Sequence, residues 1–202
     1  VDWGNREDDV SYGELYAVNA DGKKGKYLFG LRGGQGKVKS RTNNVSRGLA
    51  AASYTHPIWD DPKTILVTLN NFSRGYKSST RTALLDVYTG RVTDELMAPT
   101  ANAVVLADPQ GRPRFSAYID DDQNNVIHQR DPQTGRWVEF SKAAYGESQI
   151  TPIEIHTDGR IIVEKSEDDG PSGLYLMDPK SQALEKVYQH DLVDVGSIYT
   201  DF

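Results

Sequence analysis

The chain contains no cysteine, which excludes disulfides and any thiolate metal or redox centre. It does not fix the compartment, and cytoplasm and periplasm both stay open. No apolar run approaches the about 18 residues that a membrane-spanning helix requires, so no membrane partner is expected. Lys and Arg are scattered over a chain of net charge −6. No basic run forms a nucleic-acid footprint, so no nucleic-acid partner is expected. A signal-peptide layout and a starting Met are both missing. The opening Val1-Asp2-Trp3-Gly4-Asn5-Arg6 reads as a chain entered in mid-domain, and Gly196 to Phe202 as a strand cut short. No stretch of about 12 residues holds a 3.6-residue apolar period, so helix is not expected beyond a turn or two. What remains is a 202-residue chain, one domain by default, long enough to bury roughly 70% of its unfolded surface without staples.

What is present is a repeat. A turn in a D-x-x-x-G frame occurs at Asp86-Val87-Tyr88-Thr89-Gly90 and returns at Asp131-Pro132-Gln133-Thr134-Gly135. It recurs in degenerate form at Asp178-Pro179-Lys180-Ser181-Gln182, with Asp-to-Asp steps of 45 and 47. A second turn series at Lys63, Gly111 and Gly159 has two steps of 48. Two interleaved series at one period imply one unit copied at least three times. A period of about 40–50 residues with strand-type content predicts β-propeller blades.

The strands read from that frame are Ile65–Leu69, Thr82–Tyr88 and Arg91–Leu96 in the first full unit. The second unit offers Ala103–Ala107, Arg114–Ile119, Asn125–Arg130 and Trp137–Phe140. The third offers Pro152–His156, Arg160–Lys165, Gly173–Met177 and Leu184–Tyr188. The inner strands are expected to be the most apolar, since neighbouring blades cover them on both faces. Glu14–Val18 and Lys26–Phe29 match third and outer strands, and Gly196–Phe202 a first strand. The expected fold is therefore all-β, a propeller fragment. It has a partial blade over 1–31, full blades over about 50–98, 99–145 and 146–192, and the start of another over 193–202. Residues 32–49 fit no strand. Their Gly-rich, basic start, Arg32-Gly33-Gly34-Gln35-Gly36-Lys37, reads as a long inter-blade loop.

No motif in the chain carries a complete chemical site. A phosphate loop at Gly36-Lys37 lacks the earlier Gly, where Leu31 stands, and the following Ser or Thr, where Val38 stands. The runs Asp120-Asp121-Asp122 and Glu167-Asp168-Asp169-Gly170 lack the spacing of a helix-loop-helix calcium site and read as solvated turn carboxylates. His56, His128, His156 and His190 have no zinc-type spacing. The nucleophile elbow G-x-S-x-G is absent, and Gly146-Glu147-Ser148 supplies only its first half. Trp3, Trp59 and Trp137 read as packing anchors between blades. No catalytic, cofactor-binding or metal residue is assigned, and no cofactor is expected.

The runs Gly13–Gly22, Leu84–Gly90, Arg130–Trp137 and Gly173–Asp178 each place a strand before a D/N-x-x-x-G turn or its remnant. In these the chain resembles the β-propeller of the prolyl oligopeptidase family of serine peptidases, in the manner of bacterial acylaminoacyl or dipeptidyl peptidases. The resemblance covers nearly the whole chain. It implies a non-catalytic portion that caps an active site and selects peptide substrates by size. The partner it implies is a C-terminal α/β-hydrolase domain of the parent protein carrying Ser, Asp and His. Nothing here matches that domain, and no residue is carried over. The alternative is an independent propeller of TolB type acting as a protein-interaction module. A sugar- or lactone-cleaving propeller would need an inward ring of carboxylates and usually a metal. Open blade faces predict either a homodimer that covers them or closure between the two partial blades.

Overall fold

The computed structural model describes residues 14–30, 50–71, 79–167, 170–196 and 198. Strands β1 (Leu15–Ala17) and β2 (Lys26–Phe29) form a two-stranded sheet. Three four-stranded antiparallel sheets follow. The first holds β3 (Ala50–Pro57), β4 (Thr64–Asn71), β5 (Arg81–Asp86) and β6 (Val92–Met97). The second holds β7 (Val104–Ala107), β8 (Pro113–Ile119), β9 (Asn125–Arg130) and β10 (Trp137–Ala143). The third holds β11 (Ile150–Ile155), β12 (Ile161–Glu167), β13 (Gly170–Met177) and β14 (Leu184–Gln189). Each is a plain meander, and no helix occurs among the described residues. The fold is an all-β propeller fragment. The loop read over 32–49 lies outside the described residues, as does most of the strand read over 196–202.

The repeated turn explains why the units copy one another. Asp86 Oδ1 accepts from the amides of Tyr88 and Thr89, both at 2.8 Å. Asp131 Oδ1 accepts from Gln133 and Thr134 at 2.7 and 2.8 Å, and Asp178 Oδ1 from Lys180 and Ser181 at 3.0 and 2.7 Å. In each copy the fifth residue donates its amide back to the Asp carbonyl, at 2.8, 2.9 and 3.0 Å. That residue must turn left-handed, and its φ is 71° at Gly90, 69° at Gly135 and 57° at Gln182. Glycine carries this conformation without the Cβ penalty that Gln182 bears.

The sheets stack in series through alternating faces. Val67, Ala83 and Leu85 are 0% exposed and pack with Phe29 of β2, so the face they share looks back to the two-stranded sheet. Phe115 and Ile127 of the second full sheet pack with Ile155, Ile161, Val163, Tyr175 and Met177 of the third. Between them Ala98, Ala103 and Val105 form a smaller cluster, with Tyr118 packed against it. Thr80 is 2% exposed there, and its hydroxyl accepts the Ala103 amide at 2.9 Å. The Trp137 indole donates to the Met97 carbonyl at 3.1 Å across the same pair of sheets.

Three local readings differ from the sequence expectation. The largest fully buried side chains, Leu66, Leu85, Ile127, Ile161 and Met177 among them, sit on second and third strands rather than on the innermost. Those strands have a ladder on both edges. Strand β3 has no counterpart in the strands read from the first full unit. The third strand there ends at Asp86, because Val87 and Tyr88 belong to the capped turn.

Candidate functional site

A meander places alternate connections at opposite ends of its inner strands. One end carries the first-to-second and third-to-fourth turns of every sheet. The other carries the β8–β9 turn Asp120–Asn124 and the links over 98–103 and 144–149. The two ends differ in chemistry.

At the turn end the carboxylates are consumed by backbone. The capping amides hold Asp131 and Asp178 below the ordinary carboxylate range, led by Thr134 and Ser181 respectively. At Asp86 partial burial pushes upward, but the amides of Thr89 and Tyr88 outweigh it. The Thr64 hydroxyl, at 2.6 Å, and then the Lys63 amide lower Asp61. Asp158 is lowered to about 2 by the Arg160 amide first, then by the Arg160 side chain and His156. A carboxylate already accepting two or three hydrogen bonds is a poor general base and a poor free metal ligand. Asp108 is 2% exposed, bonded to Arg112 Nε at 2.8 Å and to Arg114 Nη1 at 3.4 Å, and caps its own turn through the Gln110 and Arg112 amides.

The link end caps its carboxylate in the same way. Asp120 accepts from the Asp122 and Asn124 amides and pairs with Lys142 at 2.8 Å. The Lys142 contact, followed by the Asn124 side chain and amide, drives the Asp120 carboxyl far below its ordinary value, and Lys142 is raised by the same pair. Beside it the Asn125 side chain donates to Gln149 at 2.6 Å, and Gln149 donates to Ser141 at 2.6 Å and to the Asn125 carbonyl at 3.1 Å. This network ties the second full sheet to the start of the third. At the same end of the sheets stand exposed apolar side chains, Val104 at 73%, Ile119 at 69% and Tyr145 at 99%. Fixed polar groups beside uncovered apolar ones suit a contact surface better than a reaction centre.

The residues singled out in the sequence are not brought together. His128 lies on β9, while His156 sits in the turn after β11 against Asp158 at 3.1 Å. Among the described residues no group of three or more His, Asp or Glu is arranged to hold a metal ion. Ser148 is exposed and donates to the Ser166 carbonyl at 2.6 Å. Trp137 bridges sheets, and the Trp59 amide donates to Pro109 of the next hairpin at 2.9 Å, while its ring is 48% exposed. Trp3 and Gly36-Lys37 lie outside the described residues.

One arrangement was invisible in the sequence. Ser116 and His128 are cross-strand partners on β8 and β9, His128 stacks on Tyr118 at 5.7 Å, and Arg114 lies on the same face. Ser116 Oγ and His128 Nδ1 are buried without a protein hydrogen-bond partner. Ser116 is 0% exposed, so no substrate reaches it. The signal was the register of β8 on β9, which runs without a shift from Phe115–Gln129 to Ile119–Asn125.

No protein-family model matches the chain, and no curated protein matches it. Among solved structures, TolB from Acinetobacter baumannii is similar with a TM-score of 0.46 at 16% identity. The match covers 89% of this chain and 38% of the TolB chain, so this chain spans well under half of that protein.

Proposed function

We propose that the chain is a non-catalytic propeller portion of a serine peptidase of the prolyl oligopeptidase family, acting as a gate that selects peptide substrates. On its own it is not an enzyme. Its partner is the α/β-hydrolase domain of the parent protein, and its substrate contacts are with peptide. The observation that carries the reading is the threefold turn after the third strand, the element on which the family resemblance rests. Its carboxylates are tied into backbone, so the turns act as scaffold and leave contact to the opposite end.

That end favours a second reading. Val104, Ile119 and Tyr145, beside Asp121 and Asp122, form an exposed surface suited to protein contact whether or not a hydrolase is the partner. An independent interaction module would use the same surface.

Two measurements separate the readings. The purified chain is expected to leave aminoacyl chromogenic substrates intact and to take up no fluorophosphonate label. Hydrolysis that the fluorophosphonate abolishes would overturn the non-catalytic assignment. The coding sequence beyond Phe202 is expected to contain a G-x-S-x-G within roughly 300 residues, the size of one hydrolase domain. A stop codon soon after Phe202 would favour the module.

A further inference from the structure

Among the described residues, three of the four buried side-chain polar atoms without a protein hydrogen-bond partner lie on one face of one sheet. They are Arg114 Nε and Ser116 Oγ on β8 and His128 Nδ1 on β9. Residues 114 and 116 are two apart on one strand and therefore share a face. His128 is the cross-strand partner of Ser116 and joins them there. That face looks toward the first full sheet. Tyr118, two further along β8, packs on Ala98, Ala103 and Val105, and Val105 is the other cross-strand partner of Ser116. The alternate residues Phe115, Ala117 and Ile127 point the opposite way, into the cluster shared with the third full sheet.

The three groups are shut in. Ser116 is 0% exposed. The Arg114 side chain is 27% exposed, yet its Nε is covered. Its Nη1 reaches Asp108 at 3.4 Å, while the shorter bond to that carboxylate, at 2.8 Å, comes from Arg112. The His128 ring is stacked on Tyr118, with planes 18° from parallel, which fixes the direction of Nδ1. A buried donor or acceptor left unpaired loses its full hydration, and three on one face would cancel a large share of a domain's stability. The junctions before and after this one are closed by larger apolar clusters.

We propose that the junction between the first and second full sheets binds one internal water molecule, held by Arg114 Nε, Ser116 Oγ and His128 Nδ1. The chemistry of the three groups selects the guest. A guanidinium N–H only donates, so the guest must accept, which a metal ion or an ammonium group cannot do. The hydroxyl takes either role, and the imidazole nitrogen takes the role its tautomer sets. A water that accepts from Arg114 and Ser116 and donates to His128 makes the about three bonds usual for a buried water. An anion would need His128 Nδ1 to donate as well, and would bring a second negative charge to the guanidinium that already meets Asp108. The proposal therefore places the neutral His128 proton on Nε2. It does not depend on the peptidase reading.

A crystal structure of the wild-type chain that resolves ordered solvent tests the site. The expected result is one solvent peak about 2.7–3.2 Å from all three atoms. No peak there, or all three atoms bonded to protein groups, would overturn the inference. Crystals soaked in bromide should show no anomalous signal at the peak, and a signal there would mean an anion in place of water. In solution, long-range proton–nitrogen correlation of the His128 ring at neutral pH should show Nδ1 bare and Nε2 protonated. A proton on Nδ1 would contradict the assigned hydrogen bond.

Discussion

The repeated turn permits one residue to be compared in three contexts. Gly90, Gly135 and Gln182 occupy the same left-handed position, with φ of 71°, 69° and 57°. Alanine in that region costs about 1–2 kcal/mol. A stiffer unfolded chain returns about 0.4–1 kcal/mol. At Gly135 a Cβ would meet only the far end of Arg130, 3.2 Å away, which can move aside. Gly135→Ala should therefore destabilise by about 0.5–1 kcal/mol. At Gly90 the Cβ would fall 2.8 Å from the Leu28 carbonyl oxygen, which is backbone of the two-stranded sheet. Either the sheets part or β2 shifts, and overpacking of this kind adds about 1–3 kcal/mol. Gly90→Ala should lose about 2–4 kcal/mol in total. Gln182→Gly runs the other way and should gain about 0.5–1 kcal/mol. Urea titration followed by circular dichroism resolves these differences, and thermal midpoints should move by about 2–4 °C per kcal/mol. Equal losses at Gly90 and Gly135 would refute the reasoning, because they would mean that Leu28 does not press on the Asp86 turn.

The turn carboxylates also set the acid response. Asp61, Asp86, Asp120, Asp131, Asp158 and Asp178 are all held below their ordinary values in the folded chain. The unfolded chain therefore binds more protons near pH 4, and stability rises with pH there. Their contribution is complete above the unfolded value of 3.8 and drains away as pH falls, for Asp158 through about 2. Thermal melts should be flat from neutral pH to about pH 5 and fall steeply below about pH 4. A midpoint that does not change between about pH 5 and pH 3 would contradict this. Thr80→Val strands the Ala103 amide at a junction where Thr80 is 2% exposed, and should cost about 1–3 kcal/mol by urea titration. Thr80→Ser retains the accepting oxygen and should cost less than Thr80→Val; equal losses would assign the effect to packing.

The D-x-x-x-G turns were legible in the sequence because their geometry is local. An Asp carboxylate capping the amides two and three residues ahead needs no distant partner. Even the degenerate copy keeps the pattern, since Ser181 supplies a hydroxyl to Asp178 at 2.9 Å while Gln182 takes the strained angle. Strand β3 is different. Ala50-Ala51-Ala52-Ser53-Tyr54-Thr55-His56-Pro57 has weak intrinsic strand preference, and its ladder with β4 holds it in place. The reading of Asp120 as a solvated turn carboxylate could not include Lys142. That residue lies 22 positions away on β10 and reaches Asp120 across β9. The pairing of Ser116 with His128 depends on cross-strand register, which composition and spacing do not carry.

The sheets stack in chain order, each packing on the next. The absence of cysteine makes this directly measurable, since every introduced thiol is unique. Three observed contacts each join consecutive sheets. The Lys26 ammonium donates to the Tyr88 carbonyl, the Trp137 indole to the Met97 carbonyl, and the Asn125 amide to Gln149. Cysteines placed pairwise at 26 and 88, at 97 and 137, and at 125 and 149 should link within one chain through a short bismaleimide, read by peptide mass. Cysteines at 88 and 149, on non-consecutive sheets, should not. Linkage at 88 and 149 as fast as at the consecutive pairs, or no linkage at any of the three, would contradict the account.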